Sequence, residues 1–177
     1  MPHIVPLHPT AHRREVSSLP SAAQARMRQL LDIYIATQNP VGEHLAAANN
    51  MALEIHGAGF IAWHAVFLAK LENWLAVNGG GEFVPLPIWY PGTPVPASLD
   101  RGNNGSVNVP FPDRLRPGPI VDVPSYEEFN SLTLGYHASV HNQLGGQMPF
   151  PTSSPSDPIF YAFHAFLLAV YEHWRSH

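Results

Sequence analysis

Apolar positions recur at near-helical spacing in SAAQARMRQLLDIYIAT, where Ala25, Met27, Leu30, Leu31, Tyr34 and Ile35 predict an amphipathic helix over 21–37. Asn39 and Pro40 then supply an N-cap and a first-turn proline for a second helix to about Asn50, carrying His44. A strongly apolar stretch from Ala62 to Val77 predicts a third helix, stopped at NGGG, where glycine accepts a left-handed cap. The segment 79–124 holds more than half of the chain's 19 prolines, so no long helix is expected there. A stretch of that length in a compact domain is expected to wrap the helices rather than hang as a loop.

Helical patterning resumes at PSYEEFNSLTLGYHASVHNQLGG. Ser125 and Glu128 have the spacing of a capping box, and Gly145 and Gly146 close the segment. In SPSDPIFYAFHAFLLAVYEHW, Asp157 and Pro158 open a last helix containing His164. The expected fold is mainly α: a small helical bundle in one domain over 1–177, with an N-terminal arm over 1–20 and a Pro/Gly-rich irregular excursion over 79–124.

Composition narrows the function classes. A chain of 177 residues that is 45% hydrophobic can bury a sizeable core. A net charge of −4 with nine Lys plus Arg leaves no basic stripe, which argues against a nucleic-acid partner and against acidic membranes. The longest apolar run, from Pro158, is shorter than the ~20 residues of a membrane span and contains a histidine, so it reads as a buried helix. The N-terminal residues show no apolar run of the kind a secretion signal needs, and the expected compartment is the cytoplasm. Absence of cysteine excludes disulfides, thiolate ligands and a cysteine nucleophile. What remains conspicuous is eleven histidines beside thirteen acids.

His137 and His141 lie four apart, so a helix projects both imidazoles from one face, where they can share a metal. Two other pairs have that spacing. His8 and His12, with His3, belong to a proline-flanked arm, and His173 and His177 sit where a helix C-terminus favours histidine. A lone buried histidine is most simply a hydrogen-bonded core residue. Here His44, His64, His137, His141 and His164 fall on four predicted helices, and His56 just ahead of one, an arrangement that can converge six imidazoles on a common centre. No E-x-x-H supports a di-iron carboxylate site, and no H-E-x-x-H supports a zinc protease. Ligation by imidazole alone points to copper, or to zinc.

The stretch HGAGFIAWHAVFLAKLE, with Glu72 eight residues after the second histidine, resembles the first copper motif of tyrosinases, catechol oxidases and molluscan haemocyanins. HASVHNQLGGQM followed by SPSDPIFYAFHA resembles the second, and PLPIWYPG is weakly similar to the Leu-Pro-Tyr-Trp segment between them. The resemblance covers roughly 40–175 and marks a short form of the family. It implies a four-helix bundle holding a dinuclear centre of two copper ions, with His44, His56 and His64 on one and His137, His141 and His164 on the other. It further implies dioxygen as co-substrate and a small phenolic substrate, and leaves a copper-delivering protein or a homo-oligomer open as partners.

Departures from the family pattern shape the expected activity. Ala65 replaces an arginine, Leu168 an aspartate, Ala169 a basic residue and Phe163 a histidine. Ala138 stands where many tyrosinases have an asparagine that helps orient a water deprotonating monophenols, while Asn142 follows the second ligand of that motif instead. Glu128 is the candidate catalytic partner of such a water, or simply the closing residue of its capping box. Trp63, Phe67, Phe160 and Phe163 either line the pocket or belong to the core. The expected function is oxidation of o-diphenols to o-quinones in preference to monophenol hydroxylation. The alternatives are reversible dioxygen binding without turnover, and a relative that has lost its redox function.

Overall fold

A computed structural model describes residues 13–177, which form five α-helices: α1 (Ser21–Gln38), α2 (Pro40–Ala48), α3 (Phe60–Val77), α4 (Tyr126–Leu144) and α5 (Pro158–Arg175). The described residues contain no β-strand, only two isolated bridges. The fold is mainly α. His3, His8 and His12 lie outside the described residues. Among the described residues no helix is long and apolar enough to cross a membrane.

Local chemistry accounts for the helix ends. Asn39 adopts the left-handed conformation (φ 52°, ψ 45°), which ends α1, and its side chain accepts from Gly42 N at 3.3 Å, which starts α2. Ser125 Oγ accepts from Glu128 N at 3.2 Å to open α4, which stops at Gly145 with φ 66°. Asp157 caps α5 through Ile159 N at 3.3 Å, with Pro158 in the first turn. Three boundaries differ from expectation, the first being α1, which ends at Gln38 rather than Thr37. α2 ends at Ala48 rather than Asn50, and α3 begins at Phe60 rather than Ala62. The earlier start of α3 follows from the turn before it, where Gly57 N and Gly59 N both bond Glu54 O and Trp63 N reaches back to Gly59 O.

Gly59 is required at that junction, because a Cβ there would overlap the carbonyl oxygen of Leu53. Gly59→Ala is therefore expected to cost about 1–3 kcal/mol, the usual cost of overpacking, read as a lower urea midpoint at unchanged slope. The same change is expected to displace the 49–59 turn and with it His56.

The core sits around α5. Every residue from Pro158 to Leu168 is buried, so this helix is apolar all round, as a central helix must be. Tyr161, Phe160, Phe163 and Phe166 are wholly enclosed, each contributing on the order of 2–3 kcal/mol of burial. The proline-rich stretch from Gly79 to Pro124 lays Phe83, Leu86, Trp89, Leu99, Leu115 and Ile120 into the same core. It is held by backbone bonds from Val16 N to Ile88 O (2.9 Å), Ile88 N to Arg14 O (2.8 Å) and Trp89 N to Ala162 O (3.0 Å). Glu72 ties that stretch to α3, accepting from Arg13 Nη1 at 2.7 Å and from Leu86 N at 2.8 Å. The glutamate of the first motif is thus a structural tie whose partners satisfy it.

Candidate metal centre

α2 supplies His44, the turn-rich 49–59 linker His56, and the first turns of α3 His64. One ligand atom from each lies within 4.8 Å of the others. α4 supplies His137 and His141 from successive turns and α5 supplies His164, and these three satisfy the same limit. The two trios face one another: the His64 and His164 rings stack at 4.7 Å, and His137 lies 6.2 Å from both His56 and His64. All six sequence-predicted histidines are therefore brought together in two groups of three.

Hydrogen bonds set the tautomer of four rings. The Nδ1–H groups of His64 and His164 donate to the carbonyls of Phe60 and Phe160, one turn earlier in the same helix, each at 2.8 Å. His141 Nδ1 donates to Met148 O at 2.6 Å and His44 Nδ1 to Pro151 O at 3.0 Å. A carbonyl only accepts, so each neutral ring presents its Nε2 lone pair toward the centre. The Nε2 atoms of His44, His64 and His141 are buried without a hydrogen-bond partner, while those of His137 and His164 lie 3.1 Å apart. Each such orphan costs about 1–3 kcal/mol unless something binds it.

Burial keeps these rings neutral. Removal from water, reinforced for His44 by neighbouring His56, brings His44 down to about 4. Burial brings His141 to about 4 as well, even though its bond to Met148 pulls the other way. Burial first, and then the other imidazoles, hold His64, His137 and His164 well below the ordinary histidine range. Exposed His56 is also lowered by partial desolvation. Neutral imidazoles with free lone pairs, and no carboxylate or thiolate among them, fit a nitrogen-favouring metal such as copper, or zinc.

The aromatics settle as supports. Phe160 stacks on His164 at 3.9 Å, Phe163 lies parallel to His137 at 6.0 Å, and Trp63 and Phe67 flank His44 at 5.5 and 6.1 Å. None of the four lines the open cleft beside the histidines, a space of about 260 Å³. Its walls are Leu134, Ala138 and Asn142 on one face of α4, and Met148, Pro149, Pro151 and Ser154 of the following loop, together with His56 and the buried His137 and His141. No charged side chain lines it among the described residues.

Glu128 is placed differently. It sits in the first turn of α4, nine residues and so about 13 Å along the helix from His137, and its carboxylate pairs with Arg114. It belongs to neither trio and does not line the cleft. Leu168 is buried and Ala65 packs against the apolar core. His173 and His177, with rings 4.8 Å apart at the end of α5, stand outside both trios. Sequence reasoning missed the carbonyls of Met148 and Pro151. Nothing could have signalled them, because every residue carries a carbonyl.

No curated protein and no solved structure matches the chain. Residues 118–177 match the family model described as the common central domain of tyrosinase, a stretch that contains His137, His141 and His164.

Proposed function

We propose that this chain, whose residues 118–177 match the central-domain model of tyrosinase, is a member of that family of copper oxidoreductases and a dicopper oxidase that uses dioxygen to convert o-diphenols to o-quinones. One observation carries the reading: two facing trios of neutral imidazoles, three with orphaned Nε2 atoms, beside an uncharged cleft. In this reading His44, His56 and His64 hold one copper and His137, His141 and His164 the other, framed by α2 to α5 as a four-helix bundle. Copper bound there supplies the redox chemistry, with dioxygen as co-substrate.

The chain's own part is to admit and orient the ring. A space of about 260 Å³ takes one aromatic ring with a small substituent, and Leu134, Ala138 and Pro149 offer it apolar contact. A catechol carries two acidic hydroxyls and asks little more of the protein than access. A monophenol must first lose a proton to a base within hydrogen-bond reach. Ala138 offers no polar group to position a basic water, and Glu128 is engaged by Arg114 at the far end of α4. We further propose a cytoplasmic setting, a single domain over 1–177 and no nucleic-acid or membrane partner, with a copper-delivering protein and homo-oligomer formation both open to direct measurement.

Oxygen uptake tests the reaction type. The copper-loaded protein is expected to oxidise a simple catechol at least tenfold faster than the matching monophenol, and Ala138→Asn to raise the monophenol rate selectively. Comparable wild-type rates on both would overturn the diphenol preference. Copper binding without any substrate-dependent uptake would instead leave reversible dioxygen carriage or a relative that has lost its redox function, which reversible binding of dioxygen by the copper-loaded protein separates.

A further inference from the structure

We infer that Asn103, in the irregular segment between α3 and α4, is a positioning residue for both imidazole trios, acting through the loop that joins α4 to α5. The metal consequence rests on the dicopper reading; the hydrogen-bond consequence does not.

That loop, 145–157, carries the two carbonyls that orient His141 and His44: Met148 O at 2.6 Å from one Nδ1 and Pro151 O at 3.0 Å from the other. The two histidines belong to different trios and different helices, so a single loop sets one ring in each. His64 and His164 do not depend on it, since their acceptors belong to their own helices.

Asn103 braces both ends of the loop. Its backbone bridges Gly145 at the start, and its Nδ2 donates to Asp157 Oδ2 at 2.7 Å at the finish. Its neighbour Asn104 adds a bond from its N to Leu144 O at 2.7 Å. The Asn103 amide is itself held in one orientation, with Oδ1 accepting from Arg101 N at 3.0 Å while its backbone N donates to Asp100 Oδ1 at 2.9 Å. The other oxygen of Asp157 caps α5, so the same carboxylate serves the helix that carries His164. Gly146 passes against this bond: with φ 60°, a Cβ there would lie 2.9 Å from Asn103 Nδ2 and 3.2 Å from Asp157 Oδ2. The loop is closed over one amide–carboxylate contact with no room for a side chain beneath it.

Removing that contact frees the stem of the loop and, with it, the acceptors of two Nδ1–H groups. Partners of this kind, one bond behind a metal-binding imidazole, are typically worth 10–100-fold in metal affinity.

Nitrogen-15 NMR of histidine side chains in the full-length, metal-free chain at neutral pH tests this. Wild type is expected to show four slowly exchanging Nδ1–H groups, from His44, His64, His141 and His164. Asn103→Ala, or Asn103→Asp, which sets two carboxylates against each other, is expected to remove the His44 and His141 signals and keep those of His64 and His164. Asn103→Asp combined with Asp157→Asn reverses the bond chemically and is expected to restore all four, which also covers the case in which Asn103→Ala does not fold. Zinc alone is then expected to bind Asn103→Ala about tenfold more weakly than wild type. Retention of all four signals in Asn103→Ala, simultaneous loss of all four, or no recovery in the double variant would overturn the assignment. Failure of wild type to bind metal would overturn the dicopper reading and leave the NMR result standing.

Discussion

Two equivalents of copper are expected to raise the melting temperature of the wild-type chain by roughly 10–20 °C, and replacing any one of the six clustered histidines with alanine is expected to cut that gain. A ligand present at a hundred times its Kd stabilises the folded state by about 2.7 kcal/mol per site. For a chain of this size each kcal/mol is worth about 2–4 °C, which sets the range for two sites. The gain is measured against the metal-free melting point of each variant, so changes in packing at the substituted position cancel. His173→Ala and His177→Ala are expected to keep the whole gain, because both residues stand outside the trios. Full copper stoichiometry in His64→Ala or His164→Ala would remove these residues from the centre.

Acid is expected to unfold the metal-free protein. Unfolded histidine takes its proton near 6.5, whereas His44 and His141 in the fold hold out until about 4. Between those values the unfolded chain carries protons that the folded chain lacks, so stability rises with pH across this window and is lost as pH falls through it. The interval corresponds to about 3 kcal/mol for each of the two residues, and His64, His137 and His164 act in the same direction. Against a total stability of about 5–15 kcal/mol, that is enough to bring unfolding inside the window. Above 6.5 this cause contributes no slope. The check is the melting temperature in the presence of a chelator from pH 8 to 4. A flat profile between pH 7 and 5 would show that the rings are not held neutral. Metal on the Nε2 atoms competes with the protons, and the loaded protein is expected to keep its stability to lower pH.

The helices and the histidines on them were legible in the sequence because their determinants are local. Asn39 before Pro40, Ser125 before Tyr126 and Asp157 before Pro158 each mark a helix start through atoms within three residues, and all three starts hold in the structure. Spacing alone put His137 and His141 on one face, and the family resemblance grouped them with His164 and grouped His44 and His56 with His64, the groups in which the structure brings them together. Where a boundary slipped, at Phe60, the cause was a turn drawn together by the Glu54 carbonyl, two bonds that no apolar pattern records.

Only the tertiary structure decided the rest. The prolines of Gly79 to Pro124 foretold the absence of a long helix, but not that Asn103 would meet Gly145 and Asp157, since that meeting depends on how distant segments pack. Glu128 could be read as a catalytic group or a cap from sequence; its ion pair with Arg114 and its distance from the cleft are facts of packing. The four aromatics could have lined a pocket or filled the core, and it is the stacking of Phe160 and Phe163 on imidazoles, with Trp63 and Phe67 packed edge-on against His44, that made them supports. The tautomers of His44 and His141 rest on the carbonyls of Met148 and Pro151, groups that every residue possesses and no sequence distinguishes. Sequence determined which side chains reach the centre, because helix periodicity and capping act over a few residues; the fold decided which lone pairs face it, because those bonds join segments that only packing brings together.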